Sequence, residues 1–181
     1  MTDEQKKVLE ASGIVDATDV SRYGSGHINE TYKVETASGV RYILQRVNTT
    51  IFDVDLLKTN VVRVTEFLKS KRVKSLEVVG YDNPWRIYKF LEGYTSRDVV
   101  SEPHQAYDVG RAFAKFQNDL ADLPPPRLGD IIPKFHDTVD RIRQLDAAVE
   151  ADAKGRRAKV AAELVFLVTQ LASNSLQPQG L

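Results

Sequence analysis

The sequence contains no cysteine, which removes disulfide frameworks, thiolate metal centres and cysteine nucleophiles from consideration. It also carries no net charge, with Lys+Arg and Asp+Glu each totalling 25. Nothing in that balance draws the chain to nucleic acid or to a membrane surface. No apolar run approaches the roughly 20 residues that a membrane span needs. The opening Thr2-Asp3-Glu4-Gln5-Lys6-Lys7 is polar and lacks an apolar signal region, so a soluble, cytoplasmic protein is the expectation. The three histidines, His27, His104 and His136, stand at no zinc-binding spacing. A G-x-S-x-G nucleophile elbow is missing too. There is no internal repeat, and 181 residues suffice for one good core or two small lobes.

What is there is organised around Tyr23-Gly24-Ser25-Gly26-His27-Ile28-Asn29-Glu30-Thr31-Tyr32-Lys33-Val34. The residues after the glycines are β-branched or aromatic and lack helical spacing, which predicts a strand. Ala37-Ser38-Gly39 then turns the chain into a second extended run, Val40 to Val47. A dinucleotide fingerprint or Walker loop must open a helix, whose N-terminus meets the phosphate. A glycine pair followed by a strand matches instead the flap of kinase-like folds, where a hairpin covers the nucleotide phosphates. An ordinary glycine-bearing hairpin is the simpler alternative for G-x-G alone.

Thr2 and Gln5 form a capping-box pattern for a short helix ending near Gly13. In the third strand, alternation places Tyr42, Leu44 and Arg46 on one face and Arg41, Ile43, Gln45 and Val47 on the other. A kinase needs a cation on this strand. Arg46 is the candidate, and Gln45 is the alternative if the register is shifted. Asp53 or Asp55 caps a helix to about Lys71 with an apolar stripe of Leu57, Val61, Val64 and Leu68. Glu66 is the nominal partner of Arg46 from this helix, with Asn60 as another occupant of the pairing position. Leu76 to Val79 and Trp85 to Leu91 read as strands around the turn Gly80 to Pro84. The glycine of Glu92-Gly93 then marks a hinge, where backbone groups of Lys89, Phe90 and Leu91 are candidates to meet an adenine.

Beyond Gly93 the periodicity is helical. Ser101 and Pro103 start a helix with the stripe Ala106, Val109, Phe113, Phe116, Leu120 and Leu123, ended by Pro124-Pro125-Pro126. Asp137 or Thr138 caps a third long helix, Lys154 to Arg157 breaks it, and Ala158 to Ala172 forms a fourth. Residues 173–181 read as a disordered tail. The expected division is a nucleotide-binding lobe over 1–92 and the helical start of an acceptor lobe over 93–172. The fold class expected is α+β: an antiparallel sheet plus one helix as a kinase-like small lobe, then the first helices of a larger one.

Three stretches, Gly24-Ser25-Gly26-His27-Ile28-Asn29-Glu30-Thr31-Tyr32, Tyr42-Ile43-Leu44-Gln45-Arg46-Val47-Asn48 and Phe135-His136-Asp137-Thr138, resemble the aminoglycoside phosphotransferase/choline kinase-like superfamily. Within it they look closest to the N-acetylhexosamine 1-kinases, over roughly Val20 to Leu171. The resemblance implies ATP-dependent phosphoryl transfer to the anomeric hydroxyl of an N-acetylated hexosamine, with Mg2+ in the full-length enzyme. It implies Ser25, Gly26, His27 and Asn29 at the phosphates beside Gly24, with Arg46 holding them from the third strand. His136 and Asp137 fall on the sugar side by the same resemblance, although a helix cap with a neighbouring surface histidine accounts for the pair equally. The family's catalytic carboxylate loop is not found: after Glu163 the chain holds no Asp or Glu. The expectation is therefore a fragment or truncated kinase without turnover of its own, with apolar helix faces prone to self-association. A non-catalytic nucleotide- or partner-binding module is the alternative, and a helix-rich scaffold without ligand is the third.

Overall fold

The computed structural model describes residues 1–95 and 97–173. The chain separates into two compact units, Met1–Pro133 and Lys134–Leu181. The first unit opens with α1 (Asp3–Ala11). The Gln5 N–H donates to the Thr2 hydroxyl at 3.2 Å and the Thr2 N–H to the Gln5 side-chain oxygen at 2.8 Å, the expected capping box. Five strands follow: β1 (Ala17–Arg22), β2 (Glu30–Thr36), β3 (Arg41–Arg46), β4 (Val78–Asp82) and β5 (Trp85–Lys89). They form one antiparallel sheet in the order β1-β2-β3-β5-β4. The expected α+β architecture is the observed one.

Strand alternation sorts the side chains onto two faces. On one, Val34, Leu44, Trp85 and Ile87 make a single buried cluster with Val8 and Leu9 of α1 and with Ile14. The Trp85 indole N–H donates to the Glu4 carboxylate at 2.8 Å, which ties α1 to β5. Gly80 sits in β4 where a Cβ would stand 2.9 Å from the Ser12 Cβ, so α1 closes on the sheet only over a glycine. The other face carries Thr31, Lys33, Ile43, Gln45, Arg86 and Tyr88, and belongs to the site.

Between β3 and β4 runs α2 (Val54–Ser70), capped by the Asp53 carboxylate, which accepts from the Leu56 N–H at 2.9 Å. Asn60 of α2 grips the later loop at both ends of its amide. It donates to the Gly129 carbonyl at 2.7 Å and accepts from the Gly129 N–H at 3.1 Å. That use, rather than pairing with β3, is what occupies Asn60. α3 (Pro103–Leu120) begins with Pro103 in its first turn. Its apolar stripe lies open, in line with the exposed helix faces expected from the sequence: the helix buries none of its residues, and Phe113 and Phe116 are exposed.

The second unit holds α4 (Thr138–Ala151), a 3₁₀ turn (Arg157–Val160) and α5 (Ala161–Ser173). The helix expected from Ala158 thus opens with a 3₁₀ turn. Asp137 caps α4, accepting from the Asp140 N–H at 2.9 Å. Asp140 is buried and bonded by Lys134 Nζ and Gln144 Nε2, each at 2.6 Å. Residues 174–181 of the expected tail lie outside the described residues.

Candidate functional site

Residues 23–29 link β1 to β2 and remain non-helical, and a strand follows at Glu30. Gly24 has φ +78°, a conformation that side-chain-bearing residues adopt at a cost. Gly26 is different. Its φ is ordinary, and a Cβ added there meets nothing within 4 Å, as is also true at Gly24. No packing among the described residues demands a glycine at position 26. The space over both is open to a ligand.

Beneath the hairpin, on the sheet face away from α1, lies a cavity of about 360 Å³. Ile43 and Gln45 of β3, Arg86, Tyr88 and Lys89 of β5, and Tyr23, Phe90, Leu91 and Tyr94 surround it, with Leu76 at its edge. Tyr23 meets Phe90 edge-on, ring centres 5.7 Å apart, joining the root of the hairpin to the strand exit. The Arg41 guanidinium lies 4.8 Å from the Phe90 ring centre and donates through Nε to the Glu92 carboxylate at 2.8 Å. Those hydrogen bonds hold the Glu92 carboxyl below its usual range. Burial pushes the pKa of the Tyr88 hydroxyl upward.

The backbone N–H groups of residues 89–91 differ in their partners. The Lys89 N–H is taken by the Glu77 carbonyl and the Phe90 N–H by the Arg41 carbonyl, each at 2.9 Å. The Leu91 N–H has no acceptor among the described residues. Of the three expected hinge residues, Leu91 alone thus keeps a free backbone donor beside aromatic and aliphatic walls that suit a flat ring.

The glycine loop is held at two points. The Asn29 side-chain oxygen accepts from the Asn48 N–H at 3.0 Å, which fixes the loop to the exit of β3. The Ser25 hydroxyl donates to the Asp98 carboxylate at 2.9 Å. His27 is exposed. Asn29 is therefore a positioning group, while Ser25 and His27 stand at the open rim.

Arg46 and Glu66 are not brought together at the cavity. Arg46 faces away from the cavity, on the Leu44 side of the sheet, with its guanidinium 6.0 Å from the Trp85 ring centre. Glu66 is exposed on α2 and makes no ion pair with it. The reason is parity. Leu44 must face the core, and Arg46, two residues on, shares its face. Gln45, the register alternative, lines the cavity together with Ile43. Arg86 was missed altogether, although alternation from the buried Trp85 and Ile87 would have placed it on the cleft face.

His136 and Asp137 belong to the second unit. Asp137 spends its carboxylate on the cap of α4. His136 takes φ +56° and meets the Phe135 ring edge-on, ring centres 4.1 Å apart. Among the described residues no three His, Cys, Asp or Glu side chains come together as metal ligands. Nor, among the described residues, is any helix long and apolar enough to cross a membrane.

Two solved structures are similar to this chain. A fructosamine-3-kinase from Thermobifida fusca YX-ER1 matches at 18% identity and a TM-score of 0.40, covering 50% of this chain and 32% of its own. APH(2")-IIa, solved as a ternary complex with streptomycin and ATP, matches at 12% identity and a TM-score of 0.45, covering 98% of this chain and 53% of its own. The chain thus spans about a third and about half of the lengths of these two proteins. The family model of the phosphotransferase enzyme family, APH, matches residues 19–181, from the first strand of the sheet onward. The chain belongs to that phosphotransferase family.

Proposed function

We propose that this chain is the nucleotide-holding part of an ATP-dependent small-molecule kinase whose acceptor is the anomeric hydroxyl of an N-acetylhexosamine. The observation that carries the nucleotide half is the cavity between the glycine hairpin and the hinge. It has apolar walls for a base at the Phe90–Leu91 end, and Tyr23, the residue before Gly24, lines it from the glycine segment; the glycine positions themselves have no atom close by. ATP when bound supplies the phosphoryl group. Ile43, Tyr88 and Phe90 sandwich its base, the Leu91 N–H meets the base edge, and the Gly24–Gly26 backbone covers the phosphates. The lobe division near residue 92 belongs to the same reading.

The acceptor half rests on the motifs G-S-G-H-I-N and I-L-Q-R-x-N and on their resemblance. On that reading His136 is a sugar-side residue and Asp137 its neighbour at the helix cap. No residue of the chain is assigned as the base that takes the acceptor's proton, so binding without turnover is expected. Exposed Phe113 of α3 and Phe166 of α5 support self-association through helix faces.

The test separates the two halves. ATP should raise the melting temperature of the 181-residue chain while no N-acetylhexosamine phosphate forms. Turnover of N-acetylglucosamine or N-acetylgalactosamine would refute the account of a missing base. Turnover of choline or an aminoglycoside instead would move the acceptor to another class. No thermal shift with ATP would remove the nucleotide assignment and favour a ligand-free scaffold.

A further inference from the structure

The cleft face carries a polar row that crosses three strands. Thr31 on β2, Gln45 on β3 and Arg86 on β5 are successive register partners. Gln45 Nε2 donates to the Thr31 hydroxyl at 2.7 Å, and Gln45 Oε1 accepts from Arg86 Nε and Nη2 at 2.9 and 2.6 Å. With its amide donor committed to Thr31, Gln45 must turn its oxygen to Arg86. The guanidinium also lies 5.4 Å from the Tyr88 ring centre. It is held on one edge by an amide and along one side by a ring, and it keeps Nη1 without an acceptor among the described residues.

Charge distinguishes Arg86 from its neighbours. Two cations line the cavity, Arg86 and Lys89. Lys89 stands 3.9 Å from the Glu77 carboxylate, and nearby Lys33 and Arg41 pair with Glu35 and Glu92. Arg86 is half-buried and, among the described residues, has no carboxylate within 4.0 Å. A partly desolvated charge with no counter-charge is costly unless a ligand completes it. A guanidinium is suited to phosphate oxygens.

Position agrees with charge. Arg86 is three residues before Lys89, about 10 Å along the strand at roughly 3.3 Å per residue. It sits toward the end of the sheet where Glu30, at the exit of the glycine loop, pairs with Arg46. The base end and the cationic end of the cavity are thus separated along β5, and the cation lies on the loop side.

We propose that Arg86, presented from β5 and oriented by Gln45, is the cation that holds the nucleotide's phosphates in this cleft, in the role for which a third-strand cation was expected. This rests on the nucleotide reading of the cavity. Gln45 is a positioning residue. It carries no charge, and its carbonyl fixes the guanidinium edge that is not offered to the ligand.

Titration calorimetry of the 181-residue chain with ATP, adenosine and inorganic tripolyphosphate tests this. Arg86→Met should weaken ATP on the order of tenfold to a hundredfold, the loss of a charge-assisted contact, and leave adenosine affinity unchanged. Arg46→Met, on the opposite face, should bind ATP as the wild type does. ATP affinity unchanged in Arg86→Met overturns the proposal, as does an equal loss for ATP and adenosine. A wild-type chain that binds neither ATP nor adenosine brings down the nucleotide reading itself. Wild-type binding of both with no effect of Arg86→Met removes only the Arg86 assignment. If Arg86→Met does not fold, the Arg86 Nε–H resonance of the wild type decides: it should shift on adding tripolyphosphate, and an unmoved resonance overturns the assignment.

Discussion

Substituting the two hairpin glycines one at a time separates backbone need from ligand need. At Gly24 the φ of +78° makes any side chain pay in backbone strain, about 1–2 kcal/mol for a left-handed L-residue. Steric crowding adds nothing, because a Cβ there meets no atom within 4 Å. At roughly 2–4 °C per kcal/mol for a chain of this size, Gly24→Ala should lower the melting temperature by a few degrees. Gly26 has neither positive φ nor a close neighbour, so Gly26→Ala should melt like the wild type, within about 0.5 kcal/mol. If the loop covers a triphosphate, the added methyl at 26 intrudes where backbone N–H groups approach the anion. Gly26→Ala should then lose ATP affinity while keeping stability. Differential scanning fluorimetry and calorimetric titration of both variants check this. A Gly26→Ala chain that binds ATP at full strength, or that loses as much stability as Gly24→Ala, would refute the reasoning.

Two further outcomes follow from the fold and the hinge. Leu44 is fully buried between α1 and the sheet, and Leu44→Ala should cost about 2–5 kcal/mol, read as a lower midpoint in urea with an unchanged slope. The Glu92 carboxyl is held down by the Arg41 guanidinium. A depressed folded value means that the pair's stabilisation is present above the ordinary carboxylate range and is lost as pH falls through the folded value. An NMR titration should show Glu92 protonating at lower pH in the wild type than in Arg41→Gln, and coincident curves would contradict the pairing.

Much of the small lobe was legible in the sequence because local chemistry and periodicity agreed. The capping box at Thr2, the cap at Asp53, the break after Gly24–Gly26 and the turn at Ala37–Gly39 are each specified by a few neighbouring residues. The helix expected to run up to Pro124 instead ends at Leu120, which leaves Leu123 of its expected stripe outside it. What the sequence withheld depends on partners far along the chain. Arg46 was placed at the phosphates because its charge suited the role, whereas the face it occupies follows from the burial of Leu44 against α1. Arg86 carried no motif. It becomes visible only when β5 is laid beside β3 in register, which is a tertiary fact. The grip of Asn60 on Gly129 spans from α2 to a loop beyond α3 and has no local signal.

The central claim is that a nucleotide occupies the cavity on the Gln45 face of the sheet. Backbone amide shifts of the labelled chain on titration with ATP test it most directly. The account predicts perturbations gathered at residues 23–29, at Ile43 and Gln45, at Arg86 and at Phe90 and Leu91, with Val8 and Leu9 of α1 unaffected. Perturbations on the α1 face, or none at saturating ATP, would contradict it.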